Sequence, residues 1–432
     1  MSTVDPVEQL LANGLKNLWY PICPVGFIED KPVSLRRLGY KLAVWRDTDG
    51  TLHALEDHCP HRGAPLSRGV NLGDRLQCPY HGVEVRCDGV TARVPGSPGC
   101  KLEGSQATRF FHITEAAGAV WLYNSAGNVE EASPLVLPEQ LTDPEFSHFL
   151  CYTEWRGDYR YVLDNVMDPM HGTYLHKQSH SMSEGESQAR FVTRDTDTGF
   201  IFEKDGQRGV NFDWTEWADT GMHWMRLEIP YPKTGGPGGN FHIVGSYTPI
   251  ARDLCAVFHW RCRPLTGWQR DTWRFLYRNR LEARHWAVLE QDREMLEFME
   301  PDANQRENLY QHDLGLVRLR RHLKNLAKAQ LELIEARQLY AHAQALVVLG
   351  KVKALLEAAG GHAGNLYKLN VYVTRIADKD AIGRARQEFF AGQGTFPAST
   401  LVEVSGLVFP ELLVEIDAWA RLDIDLANCD EA

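Results

Sequence analysis

The chain reads as an α+β protein built from successive domains, and three observations predict this. From about Trp19 to Tyr123 the sequence is β-rich, with turn signals at Asp49-Gly50, Asp88-Gly89 and Pro95-Gly96. Residues 190–262 return to strand-like alternation, and a helical pattern follows from about Thr272 to Met299. A second helical pattern resumes near Leu314 and leads into a short α/β tail that closes at about Leu422. These divisions place domains at 1–128, 129–325 and 342–424, with 326–341 as a helical linker.

Taken in order, residues 6–15 have the pattern of a short helix. Strands are expected at Lys41–Arg46, Thr51–Leu55 and Ala119–Tyr123. The run EEASPLVLPEQLTDPEF is dense in turn formers and reads as a linker. Cys151–Trp155 reads as a strand, and Tyr159–His176 has helical spacing. Phe241–Thr248 and Cys255–Trp260 alternate as strands do. From Leu316 to Leu349 no Pro or Gly interrupts the helical pattern. The tail then reads helix, strand, helix, strand, strand, with strands at Leu366–Thr374, Thr395–Val404 and Leu413–Asp417.

Composition narrows the function classes. At 432 residues the chain exceeds one ordinary domain, and 44% hydrophobic residues give an ample core. The formal net charge of −11 favours solubility and argues against nucleic acid as a partner. Nine cysteines, an odd number without framework spacing, read as reduced thiols. The N-terminus MSTVDPVEQLLANG lacks a basic region followed by an apolar core, and no apolar run approaches a membrane span. A cytoplasmic setting without a membrane partner is expected.

The most specific signal is the pair Cys59-Pro-His61 and Cys78-Pro-Tyr-His81, which together read C-x-H-x16-C-x2-H. In a Rieske [2Fe–2S] cluster two thiolates hold one iron and two imidazoles hold the other. Such a site carries single electrons, and its neutral imidazoles raise the potential above that of an all-cysteine cluster. The competing reading is a structural zinc site. Zinc fingers pair Cys with Cys and His with His, whereas each short motif here supplies one of each. Pro and Gly shape a turn around both pairs.

A second constellation lies in Asp164-Asn-Val-Met-Asp168-Pro-Met-His171-Gly-Thr-Tyr-Leu-His176. Two histidines near helical spacing can share a metal, and a carboxylate from elsewhere completes a 2-His-1-carboxylate triad with open positions for O2 on ferrous iron. Alone, H-x4-H is weak among seventeen histidines. Asp168 three residues before the first His, and the cluster motif in the same chain, strengthen it.

The run DHCPHRGAPLSRGVNLGDRLQCPYHGVEVRCDG, Asp57 to Gly89, resembles the Rieske domain of Rieske non-heme iron oxygenases over its whole length. The DNVMD run before His171 resembles the alpha subunits of the ring-hydroxylating and demethylating monooxygenase type. The resemblance implies a helix-grip-like catalytic domain with an antiparallel sheet. It assigns Cys59, His61, Cys78 and His81 to the [2Fe–2S] cluster, and His171 and His176 to a mononuclear Fe(II). The third iron ligand is an Asp on a later helix; in Leu289-Glu-Gln-Asp292-Arg-Glu-Met-Leu-Glu297, Asp292 fits, with Glu290, Glu294 and Glu297 as competitors. Asp168 matches the carboxylate that joins a cluster ligand of one subunit to an iron ligand of its neighbour in a trimer. Asn165 matches a polar residue near the iron. The implied activity is mono- or dioxygenation, by which a small aromatic organic substrate is hydroxylated, dihydroxylated or demethylated with O2. No G-x-G-x-x-G follows a strand and no C-x4-C-x2-C occurs, so electrons are expected from a separate NAD(P)H-dependent reductase, directly or through a ferredoxin. The substrate pocket is expected between the 190–262 sheet and the 272–299 helix, in a region holding Trp214, Trp217, Met222, Trp224 and Met225, most of which are expected to be sheet core.

The tail is similar to the RidA (YjgF) family of enamine/imine deaminases, which form trimers. The likeness covers 342–424, the later two-thirds of such a domain; helical sequence stands where the family has its opening β-hairpin. The family pattern F-P-A-R-S/T places an Arg that clamps the substrate carboxylate. Here Phe396-Pro-Ala-Ser399-Thr400 has a hydroxyl instead. Glu415 matches the family's water-activating glutamate. Ser399 favours a trimerisation or binding role for the tail over a bifunctional protein that also hydrolyses imines or enamines. A pure electron-transfer protein is the remaining alternative; it leaves the His171/His176 run without a purpose.

Overall fold

The computed structural model describes residues 5–126, 131–177, 188–206, 214–231, 239–393, 396–404 and 406–425. The chain divides into two compact units, Met1–Ala327 and Lys328–Ala432.

In the first unit, the N-terminal part is a set of small antiparallel sheets. Asp5 caps the helix Pro6–Ala12 by accepting from the Val7 N–H at 2.9 Å. Trp19–Pro24, Ala119–Tyr123 and Ile113–Ala116 form one sheet, in that order. Val33–Arg37, Tyr40–Arg46, Leu52–Glu56 and Phe110–Phe111 form a second. Four short strands, Val70–Asn71, Arg75–Gln77, Glu84–Arg86 and Thr91–Arg93, form a third. Leu42, Val44 and Leu122 fill one core. Trp45, Leu55, Leu66, Leu76 and Val85 fill another, which also encloses Cys59 and Cys78. The expected strands at 41–46, 51–55 and 119–123 all appear, shifted by a residue at most.

The rest of the first unit is built on a seven-stranded antiparallel sheet. Its strands are β1 (Phe146–Arg156), β2 (Phe191–Thr196), β3 (Gly199–Lys204), β4 (Trp214–Asp219), β5 (His223–Tyr231), β6 (Gly239–Ala251) and β7 (Leu254–Pro264). The spatial order is β1-β7-β6-β5-β4-β3-β2, a meander closed at one edge by β1. Alternation along the strands separates two faces. Val244, Phe258, Trp260 and Cys262 pack against Trp19, Trp121 and Tyr123 of the N-terminal sheets. The Trp121 and Trp260 rings stack at 5.6 Å, and the Trp260 indole N–H donates to the Ala117 carbonyl at 2.7 Å. The opposite face, which carries Cys151, Tyr247, His259 and Arg261, lies under α1 (Tyr159–Met167), α2 (His171–Leu175), α3 (Gly267–Leu276) and α4 (Glu282–Glu297). A π-helical turn at Tyr277–Leu281 joins α3 to α4, so the expected 272–299 helix is one near-continuous rod.

The expected helix over Tyr159–His176 is instead two helices. Pro169 lacks an N–H and pushes the residue before it out of the helical region, and Asp168 sits at φ −102°, ψ 98°. The break is what positions the second histidine pair, as shown below.

In the second unit the central strand β8 (Leu366–Val373) pairs parallel with β9 (Ala398–Glu403) and antiparallel with β10 (Val414–Ala420). Helix Lys379–Phe389 makes the crossover that a parallel pair requires. The long helix α5 (Leu314–Ala358) runs unbroken through the segment 326–341. Within the second unit, Ala341, Ala345 and Leu349 recur every four residues and pack with Leu369, Val371, Ile382 and Phe390. Against the expectation from the sequence, helix Gln311–Ala358 is long and apolar enough to cross a membrane by length and composition, with a mean hydropathy of 1.3 over its most apolar stretch.

Candidate active site

The two cysteine–histidine loops share one backbone design. The Cys59 N–H donates to the Ala64 carbonyl at 2.8 Å and the Gly63 N–H returns to the Cys59 carbonyl at 2.8 Å. The Cys78 N–H donates to Val83 at 2.8 Å and the Gly82 N–H to Cys78 at 3.1 Å. Closing each turn needs a residue at positive φ, and Gly63 (76°) and Gly82 (72°) supply it without a Cβ penalty. Buried Asp57 fixes the first loop by accepting from the Ser67 N–H at 2.8 Å and the Ser67 and Ser34 hydroxyls at 2.7 and 3.0 Å.

The four side chains divide into two ends. Cys59 and Cys78 are buried with their thiols in mutual hydrogen-bonding range. His61 and His81 are exposed, with ring centroids 4.6 Å apart. Burial pushes the Cys59 thiol up to about 11, so it surrenders its proton only to a metal. A single tetrahedral ion would need all four donors around one point. Among the described residues, the one group of at least three such donors within 4.8 Å of each other lies elsewhere. Thiols at one end and imidazoles at the other fit a two-iron cluster.

That other group is His171, His176 and Asp292. Asp292, on α4, has Oδ1 3.4 Å from His171 Nε2 and 3.1 Å from His176 Nε2. Five residues of straight helix would put the two imidazoles on different faces. The helix stops after Leu175, and His176 at φ −103°, ψ 35° turns its ring back toward His171. The His171 ring Nδ1 bonds the backbone carbonyl of Asp168, and His176 Nδ1 bonds Gln291 Oε1 at 2.9 Å. Both bonds place the N–H on Nδ1 and leave Nε2 as the ligating atom. Burial pushes the Asp292 carboxyl up, but hydrogen bonds and charge from the two imidazoles, when these are protonated, outweigh it and hold it below the usual carboxylate range. His176 Nε2 and Asp292 Oδ1 are buried without a hydrogen-bond partner among the described residues, which is what a metal pocket looks like before the ion is counted. Two imidazoles and one carboxylate match ferrous iron with open positions.

Asp168 caps its own turn, its carboxylate accepting from the Met170 N–H at 2.7 Å. Within one chain it is the carbonyl of Asp168, not the carboxylate, that meets His171. Asn165 is half-buried on α1, and its carbonyl accepts from the Asp168 N–H at 3.2 Å. Of the competing carboxylates, Glu290 and Glu297 are tied up by Arg293. Sequence reasoning did not assign Gln291 a role; its place beside Asp292 was the available signal. We expect Gln291→Leu to weaken iron binding about 10–100-fold, measured by competition with a chelator, with Gln291→Glu restoring it.

The sheet face between this site and α3–α4 is polar and aromatic. The Tyr247 hydroxyl and His259 Nε2 hydrogen-bond at 2.9 Å, and burial followed by the Arg261 charge pulls His259 down to about 3. Of the five aromatic and methionine residues noted in the pocket region, Trp217 and Met225 share the face of Thr215, whose hydroxyl bonds the Val166 carbonyl of α1 at 2.9 Å. Met222 and Trp224 belong to the core shared with the N-terminal sheets. Trp214 alternates away from Thr215 and stacks with Arg226 at 5.4 Å.

In the second unit, Ser399 lies level with Leu369 and Glu415 with Tyr372, on strands flanking β8. Leu369 and Tyr372 point to opposite faces, so the fold does not bring Ser399 and Glu415 together.

Comparison with known proteins agrees with this architecture. Residues 18–103 match the Rieske [2Fe-2S] domain, 155–329 the vanillate O-demethylase oxygenase C-terminal domain, and 331–422 the endoribonuclease L-PSP family. The chain is 35% identical over 171 residues to the vanillate O-demethylase oxygenase subunit of Pseudomonas sp. (strain HR199 / DSM 7063), covering 39% of this chain and 47% of that one. It is 33% identical over 165 residues to the dicamba O-demethylase oxygenase component of Stenotrophomonas maltophilia, covering 38% and 48%. The chain thus spans about half the length of the curated relatives it matches. The fold is that of dicamba monooxygenase bound to dicamba, with a TM-score of 0.58 at 23% identity over 74% of this chain and 99% of that one. The terminal oxygenase of carbazole 1,9a-dioxygenase from Nocardioides aromaticivorans IC177 aligns with a TM-score of 0.57 at 20% identity, covering 74% and 96%. Matches to a Rieske domain, a vanillate O-demethylase oxygenase C-terminal domain and an L-PSP domain therefore follow one another along this chain.

Proposed function

We propose that this chain is the oxygenase component of a multicomponent Rieske-type system that hydroxylates or demethylates a small aromatic substrate. The observation that carries the reading is that one unit holds two groups of metal-ligating side chains of different chemistry, Cys59/His61/Cys78/His81 and His171/His176/Asp292. A [2Fe–2S] cluster held by the first set would supply single electrons, and a ferrous ion held by the second would supply O2 chemistry beside the substrate. The protein's own share is positional. Asp168 and Gln291 orient the two imidazoles, and Asp292 supplies the one negative charge that a divalent ion retains. The buried face around Tyr247 and His259 excludes water from the reacting centre.

For a monooxygenation, one O2 takes two electrons and two protons, placing one oxygen on the substrate and the other in water. The electrons come from a separate NAD(P)H-dependent reductase, directly or through a ferredoxin; an oxygenase of carbazole 1,9a-dioxygenase has been solved in complex with its ferredoxin. The exposed imidazoles of His61 and His81 suit handover across a protein–protein boundary. We read the working form as a cytoplasmic homotrimer in which Asp168 of one subunit links its iron site to a neighbour's cluster. The C-terminal domain serves assembly or binding, because Ser399 cannot clamp a carboxylate and lies on the face opposite Glu415.

The test supplies the iron-loaded chain with a reductase, NADH and a panel of methoxylated and unsubstituted aromatic compounds. Substrate-dependent O2 uptake matched by hydroxylated or demethylated product is the expected result. Electron transfer through the cluster with no product from any compound would leave only the carrier reading.

A further inference from the structure

We propose that α5 pairs antiparallel, across a two-fold axis, with α5 of a second copy of this chain. The helix buries one side within its own unit, at Ala341, Ala345 and Leu349. Roughly opposite runs a second apolar stripe of Leu333, Ala336, Tyr340, Ala343, Val347 and Gly350, all of them exposed. Leu333 is 71% exposed and Val347 58%. The steps along it alternate between three and four residues, the heptad spacing of a helix–helix seam. A contiguous apolar face left in water marks an interaction surface.

Side-chain size selects the occupant and its direction. Leu333, Tyr340 and Val347 are large and share one heptad position; Ala336, Ala343 and Gly350 are small and share the other. In parallel helices each position meets its own kind, so overfilled layers would alternate with hollow ones. In antiparallel helices each position meets the other kind. Leu333 then faces the partner's Gly350, Ala336 the partner's Val347, and Tyr340 the partner's Ala343. Every large side chain meets a small one over a seam about 26 Å long, and the surface is complementary to itself, as a two-fold contact requires.

Two further observations agree with this register. Glycine is among the least favourable residues inside a helix. A Cβ at Gly350 would meet nothing within 4 Å in this chain, so nothing in the chain itself calls for glycine there; the partner's Leu333 does. The flanking charges also match. Glu332 comes opposite the partner's Lys353, once on each side of the axis. Within its own chain Lys353 has Glu357 at 3.8 Å, an exposed pair worth little. Leu339, 69% exposed, lies on the same flank and meets the partner's Leu346. The other flank is committed to the chain's own unit, where Arg337 pairs with Asp378 at 2.7 Å and Gln344 accepts from the Leu413 N–H at 2.8 Å.

The test is light scattering on the full chain. The native particle should hold an even number of chains, six where the proposed trimer also forms and two where it does not. Three chains would overturn the pair and leave the trimer; two would overturn the trimer and leave the pair. Gly350→Leu fills the seam with a better helix former, so the mass should halve while the circular dichroism is kept. An unchanged mass in that variant overturns the proposal. Glu332→Lys should weaken association about tenfold, and adding Lys353→Glu to the same chain should restore it. Direction is read by mild oxidation. Ala336→Cys combined with Val347→Cys should give a covalent dimer, which neither the native chain nor Ala336→Cys alone should form. Cross-linking of Ala336→Cys alone would mean parallel helices and overturn the pairing. So would flotation of the native chain with phosphatidylcholine–phosphatidylglycerol vesicles, because the stripe would then meet lipid rather than a second copy.

Discussion

His171→Ala is expected to stop product formation while the [2Fe–2S] cluster keeps its visible absorption. The argument is geometric. His171 Nε2 is one of two imidazole nitrogens that lie within 3.4 Å of Asp292 Oδ1, and its own orientation comes from the Asp168 carbonyl. Alanine removes the donor and leaves Asp292 with His176 alone. An ion that keeps two protein ligands is held weakly and loses its fixed open positions. Turnover should fall by about a thousandfold or more, since several kcal/mol of metal-derived stabilisation go with it. The cluster loops, in contrast, are closed by their own backbone bonds and by Asp57, none of which involves α2. Metal analysis should show loss of the mononuclear iron alone. If the absorption disappears together with activity, two independent sites is the wrong description.

Much of this arrangement is legible in the sequence because its signals are local. The Cys and His spacings, and the glycines that close each turn, lie within a few residues of one another. The long helix from Leu314 and the strands of the tail follow from periodicity and from where Pro and Gly fall. What stays hidden is set by tertiary register. The break at Pro169 was visible as a proline, but not as the device that swings His176 against His171. Gln291 gains its role only when α4 is laid over α2. The side of the sheet to which Trp224 or Trp217 points depends on a pairing register that alternation alone does not anchor. The opposite-face placement of Ser399 and Glu415 likewise comes from pairing with β8, not from the motif that contains Ser399.

Cys59→Ser is expected to do the converse of His171→Ala. Serine is close in size to cysteine, so the loop geometry set by the Cys59–Ala64 and Gly63–Cys59 bonds is retained. Its hydroxyl is a far poorer ligand for iron than a thiolate, and the cluster's visible absorption should vanish. The loss is more than spectroscopic. Cys59 and Cys78 are buried in the same core as Trp45, Leu66 and Leu76, so an iron-free loop leaves polar groups in an apolar setting. The N-terminal domain should therefore melt earlier, since metal binding and folding are coupled there. The site at His171, His176 and Asp292 is assembled from α2 and α4 and takes nothing from the cluster loops. It should still bind ferrous iron and substrate with native affinity, yet give no product with NADH and reductase, because no electron reaches it. Native turnover in a chain that has lost its absorption would mean that electrons enter the iron site by another route, and the exposed imidazoles at His61 and His81 would need a different purpose.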